Sequence, residues 1–359
     1  LTMIDRARLA KLMAIEDKRF LKIHPKSGEL FNQAKKNMPA GVPMSWMSKW
    51  PGAYPVFVEE AKGASFIDVD GNTYVDFCLG DTGSMTGHSP TATVAAIREQ
   101  VGRGLSAMLP TQDAAIVAGE LAERFNLPLW QFTVSATDAN RHVIRYARLI
   151  TGKSKIIIID RCYHGSVDES FATLDKKGNT VSREGNIGAP VDLNLTTRVV
   201  AFNDLSAMEK ALANDDVAAI LMEPAMTNVG IVLPESGYLL AVQGLAKKFG
   251  ALLIIDETHT ISVGPGGMTA DLGLTPDFLT IGKAIGGGFP TGAFGMQQHI
   301  ADSIKRLVEL EVIDTGGIGG TLAANALSLA AMRATLTKVL TKERFDRMIK
   351  LGDRWADGV

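Results

Sequence analysis

Between about residues 130 and 290, short uninterrupted apolar runs alternate with stretches at helical spacing, and this alternation constrains the fold more than any other feature. The runs cover residues 132–134, 156–159, 218–222 and 251–255. A run with no in-out alternation predicts a strand covered on both faces, as in a parallel sheet. The helical stretches between the runs supply the crossovers. The expected fold is therefore α/β, with a mostly parallel central sheet and flanking helices. Polar or special residues follow each run directly: 135–140, 160–165, Glu223-Pro224 and Asp256-Glu257-Thr258-His259. Open α/β sheets bind ligands outside the carboxyl ends of their strands, so these residues are predicted to share one site.

The 359 residues exceed the ~100 to 200 of an ordinary domain. The expected division is an N-terminal segment 1–78, a large domain 79–320, and the start of a C-terminal small α+β domain at 321–359. Residues 1–20 are too charged for a signal peptide and predict an amphipathic surface helix. Short runs at 55–58 and 66–77 surround an Asp70-Gly71 turn signal and predict a hairpin. After Thr321 the alanine- and leucine-rich stretch 323–339 predicts a helix. With 46% hydrophobic residues the chain can build a sizeable core, yet no run approaches the ~18 to 20 residues of a membrane span. The 37 basic and 39 acidic residues leave a net charge of -2, with no block of like charge to hold nucleic acid. Cys78 and Cys162 form no Cys-x-x-Cys pair for a metal or redox centre. No metal is expected, and a reducing cytoplasm suits the chain.

Lys283 closes an apolar run and enters the glycine-rich turn Gly286-Gly287-Gly288. A lysine removed from water loses the stabilisation of its charge, and its neutral amine can attack a carbonyl carbon to form a Schiff base. Such a capture needs an electron sink if it is to generate a carbanion, and pyridoxal phosphate is one. Its pyridine nitrogen works protonated, which a neighbouring carboxylate favours. Asp256, ending the run 251–255 one strand before Lys283, is the candidate. The phosphate needs backbone donors where a strand feeds a helix, and residues 135–140 offer them. Gly319-Gly320-Thr321 forms a second donor set. Tyr163-His164-Gly165 supplies an aromatic residue to stack on a flat ring and a glycine that permits close approach. Each feature alone also has a structural explanation: a surface lysine, a helix cap, a locally packed aromatic.

Taken in order, these residues resemble the class III pyridoxal-phosphate-dependent aminotransferases, within the fold-type-I or aspartate-aminotransferase fold. The likeness lies near glutamate-1-semialdehyde aminomutases and β-amino-acid and amine transaminases. It runs from about Met38 onward through Pro39-Ala40-Gly41-Val42, Asp68 to Asn72, Gly87-His88-Ser89-Pro90, Ser135 to Asn140, Tyr163-His164-Gly165, Glu223-Pro224, Asp256-Glu257 and Ile281 to Gly288. The resemblance implies that Lys283 holds the cofactor and shuttles a proton, Asp256 pairs with the pyridinium, Tyr163 stacks on one ring face and Thr258 lies against the other. It implies cofactor contacts from Ala136, Thr137 and His164, an orienting acid at Glu223, and Thr321 reaching the phosphate of a partner subunit in a homodimer with shared sites. It also implies a continuation of several tens of residues beyond Val359. Two positions depart from the family's pattern: Ala136 replaces a glycine and Thr258 a valine.

An amino-acid substrate wants an arginine for its carboxylate, yet residues 41–50 contain none and are rich in methionine and tryptophan. Met44 and Trp46 are candidate contacts for a bulky apolar amine. The expected activity is transfer of an amino group from a primary amine to a keto acid in two half-reactions. The alternative is a 2,1-aminomutase or racemase on the same scaffold, and a non-catalytic binding protein is a third reading. The Gly-x-Gly-x-x-Gly fingerprint of a nicotinamide dehydrogenase is absent.

Overall fold

The computed structural model describes residues 4–189 and 191–359. It divides into two compact units, one of residues up to Leu79 with Gly87–Ser89, the other of Gly80–Thr86 with Pro90–Val359.

In the smaller unit the N-terminal helix runs Arg6–Ile23, later than the expected 1–20, of which residues 1–3 lie outside the described residues. Its start is set by Asp5, whose carboxylate accepts from the amides of Ala7 and Arg8 at 3.0 Å, two of the donors a helix cannot satisfy itself. None of its residues is buried, as expected of a surface helix. The hairpin forms around Asp70-Gly71, where strands Ser65–Asp68 and Thr73–Val75 pair antiparallel and Val58–Lys62 adds a third. The buried Asp68 carboxylate accepts from the amides of Asp70 and Asn72 and from the Tyr74 hydroxyl, which fixes the turn.

The larger unit holds seven strands: β1 (Leu129–Thr133), β2 (Lys155–Ile159), β3 (Thr197–Val200), β4 (Val217–Met222), β5 (Leu252–Asp256), β6 (Phe278–Gly282) and β7 (Gly292–Met296). Their order across the sheet is β1-β7-β6-β5-β4-β2-β3. Only β7 runs against the others, pairing antiparallel with both β6 and β1. The remaining six point one way, so their carboxyl ends share one edge. Ile156 to Ile159 and all of β4 are buried, and Ala139, Val143 and Ala147 of the helix Ala136–Thr151 pack within the same core. Each buried isoleucine or leucine contributes about 1.5–3 kcal/mol relative to exposure.

Every apolar run read from the sequence became a strand, though β1 begins earlier and stops at Thr133, leaving Val134 beyond it. Two strands lacked that signature. In β3 the run is interrupted by Arg198, which can sit there because β3 is an edge and the guanidinium pairs with both oxygens of Asp216 at 2.8 Å. In β7 the pattern is diluted by Gly292 and Gly295. A Cβ on Gly292 would fall 2.4 Å from the Ser135 backbone, and one on Gly295 would fall 2.7 Å from the Trp130 ring. Close approach excludes side chains at both positions.

Candidate active site

The carboxyl ends of β1, β2, β4, β5 and β6 surround a cavity of about 370 Å³. The sequence-predicted Ala136, Thr137, Tyr163, His164, Glu223, Asp256, Thr258 and Lys283 all line it. Thr321 is exposed and not among its lining residues, and Met44 and Trp46 are exposed residues of the smaller unit.

Asp256 ends β5 with its carboxylate buried. Oδ2 accepts from Nδ1 of His164 and from Nδ2 of Asn140, both at 2.9 Å, while Oδ1 accepts from the Thr258 amide at 3.1 Å. Burial alone would raise this carboxyl, but the hydrogen bond and charge of His164 outweigh it and bring it down to about 2. His164 is the reciprocal case. Burial works against its imidazolium, yet the Cys162 sulfur and the Asp256 carboxylate hold its pKa well above the ordinary value. A carboxylate that keeps its charge in a buried position suits a cationic ring nitrogen.

Asn140 was not singled out from the sequence as a partner of Asp256. Its side chain is fully buried, giving hydrogen bonds to Asp256 and to the His164 carbonyl and accepting one from the Thr280 hydroxyl at 2.7 Å. The available signal was its place four residues after Ala136, on the sheet-facing side of a helix. Glu223 is also buried, and burial raises its carboxyl; its Oε2 accepts from the Thr227 hydroxyl at 2.5 Å. Glu257, beside Asp256, points the opposite way into the scaffold. Burial pushes it up, while the hydroxyls of Thr260 and Thr269 and the amide of Thr269 donate to it.

The helix Ala136–Thr151 opens on the cavity with Ser135 as its cap, the hydroxyl accepting from the Asp138 amide at 3.3 Å. The amides of Ala136 and Thr137 remain at the cavity wall, where a helix start favours an anion. Opposite them, Gly165 (φ +77°) approaches so closely that a Cβ would fall 2.0 Å from Oγ1 of Thr137. The methyl of Ala136, the first departure from the expected motif, is accommodated by Gly282, where an added Cβ would lie 2.9 Å from that of Ala136. The hydroxyl of Thr258, the second departure, is buried and has no hydrogen-bond partner among the described residues.

Lys283 begins immediately after β6 with φ +48°, a left-handed conformation that costs a non-glycine residue about 1–3 kcal/mol. Its Nζ lies 2.8 Å from Oδ2 of Asp81 and 2.6 Å from Nε2 of His259. His259 falls in a strand-end segment expected at the site but was given no role, whereas Asp81, 202 positions from Lys283, is marked by no motif. Burial and the Lys283 charge lower the His259 pKa, which favours the neutral ring.

Residues 46–358 match the family described as Aminotransferase class-III. The chain belongs to the class III aminotransferase family. Pyridoxal phosphate is that family's cofactor, as the motifs implied, and the fold is the fold-type-I architecture of its members. The chain is 35% identical over 341 residues to a glutamate-1-semialdehyde 2,1-aminomutase of Methanothrix thermoacetophila, a match covering 93% of this chain and 76% of the relative. Among solved structures, a glutamate-1-semialdehyde aminomutase from Pseudomonas aeruginosa superposes with a TM-score of 0.94 at 46% identity, covering 98% of this class III chain and 78% of the other. An omega-transaminase from Sphaerobacter thermophilus superposes with a TM-score of 0.84 at 30% identity, covering 93% and 77%. Among the described residues no helix is long and apolar enough to cross a membrane.

Proposed function

We propose that this class III chain is an amino-group-shifting enzyme of the 2,1-aminomutase type, which moves nitrogen between adjacent carbons of one substrate. The observation that carries this reading over intermolecular transfer is the 46% identity and 0.94 TM-score to a glutamate-1-semialdehyde aminomutase, against 30% and 0.84 to a transaminase.

The cavity's own chemistry suits pyridoxal phosphate. A charged buried carboxylate, two helix-start amides, an unpartnered buried hydroxyl and one lysine amine meet in a single space. When bound there, the cofactor supplies the electron sink for charge developing on a substrate carbon. Lys283 would hold it through Nζ and move the proton. Asp256, kept ionised by His164 and Asn140, would pair with its ring nitrogen. Ala136 and Thr137 would donate to its phosphate, and Tyr163 and Thr258 would flank the ring. Glu223, its carboxyl raised by burial, would orient the site while it accepts from the Thr227 hydroxyl.

Transamination, the first expectation, is the second reading. It is favoured by one observation: among the described residues no arginine lines the cavity to hold a substrate carboxylate. The two readings part on the acceptor. With glutamate-1-semialdehyde as the only substrate, a mutase turns over repeatedly with no keto acid added. Turnover that appears only with a primary amine donor and a keto acid would overturn the proposal in favour of transamination.

A further inference from the structure

Lys283 is held by two side chains to which the sequence assigned no role, Asp81 and His259. Besides the contacts of Nζ with Asp81 and His259, Nδ1 of His259 lies 3.0 Å from Oγ1 of Thr82, and its Nε2 lies 3.8 Å from Oδ2 of Asp81. The ring is thereby oriented at both nitrogens. With a charged ammonium on one side, Nε2 is the acceptor and Nδ1–H donates to the Thr82 hydroxyl, which fixes the tautomer. The backbone that presents these groups is unusual: Asp81 has φ +55° and Thr82 φ +68°, left-handed like Lys283 itself. Strain of this kind persists where surrounding structure over-determines it, and it clusters at functional sites. Here it places an acceptor and a counter-charge on one amine.

We propose that His259 is a positioning residue for Lys283, whose Nε2 takes the proton that the ammonium must lose before the amine can attack a carbonyl carbon. The inference rests on the reading of Lys283 as the cofactor lysine. The proton leaves Nζ for Nε2. Lysine becomes a neutral amine, histidine an imidazolium, and Asp81 remains a carboxylate beside it, so the charge of the three groups is unchanged. The charged groups facing His259 are Lys283, Asp81 and Asp256. Asp256 is committed to His164 and Asn140, leaving Asp81 as the imidazolium's partner. Burial and the ammonium's charge keep His259 neutral beforehand, as a proton acceptor must be.

The test follows cofactor capture rather than turnover. The full chain, freed of cofactor, is mixed with pyridoxal phosphate, and the absorbance of the lysine-linked cofactor is timed across a series from neutral to alkaline pH. His259→Gln keeps an acceptor oxygen but cannot take a proton. Its capture is expected to be about a hundredfold slower than wild type at neutral pH, with the difference closing at alkaline pH, where hydroxide takes the proton instead. Equal rates, or a deficit that does not change with pH, overturn the proposal. His259→Asn, checked for fold by circular dichroism, gives a second reading of the same profile. Lys283→Ala separates the two levels: it should show no lysine-linked band at all, and a persisting band overturns the assignment of Lys283 and the role of His259 with it.

Discussion

At the scale of single residues, the site is governed by which charges burial is allowed to keep. Asp256 stays ionised because His164 and Asn140 share one of its oxygens, whereas Glu257, one position on, is pushed toward its neutral form. The Asp256 carboxyl sits at about 2 in the fold, below its value in an unfolded chain, so it binds its proton less readily when folded. Its contribution to stability is complete above the ordinary carboxyl pKa of about 3.9 and fades as pH falls from there toward the folded value. Asp256→Asn should therefore flatten the acid limb of a thermal-unfolding profile between about pH 4 and pH 2; an unchanged limb would mean the carboxylate is not held as described. Asp256 and Lys283 could be read from the sequence because each closes an apolar run. Asn140 and His259 lie in segments expected at the site, but their partners could not be read, since a buried asparagine reads like any helical polar residue; Asp81 was not legible at all, because it meets Lys283 only through the tertiary fold.

Among elements, legibility followed side-chain bulk. The central strands announce themselves through isoleucine, leucine and valine, because both their faces are covered. β7 does the opposite, its two glycines marking contacts too close for any side chain. These contacts differ in what can yield. Gly292→Ala meets the carbonyl of Ser135, which caps the helix opening on the cavity, whereas Gly295→Ala meets a tryptophan ring. Overpacking costs ~1–3 kcal/mol where neighbours can shift. Both substitutions should lower Tm, but Gly292→Ala alone should also weaken pyridoxal phosphate binding, measured by equilibrium dialysis of the full chain. Equal loss of cofactor affinity in the two variants would contradict the link between β7 and the helix start.

For the whole molecule, the sequence revealed the sheet and its active edge better than it revealed which residues lie outside one chain's cavity. Thr321 is such a residue, exposed and away from the lining of its own site. We propose, following the family resemblance, that it serves the site of a second copy. Mixing Lys283→Ala chains with Thr321→Ala chains should then restore turnover that neither variant supports alone, because one site of the mixed pair carries both wild-type groups. No gain on mixing would place Thr321 in a role confined to its own chain. The contact between Ala136 and Gly282 carries the same lesson about where information resides. One methyl group fits between those two positions, and this chain carries it on the helix rather than on the strand. Residues 146 positions apart are thus tied at one contact: while the helix start keeps its methyl, the strand end must stay bare.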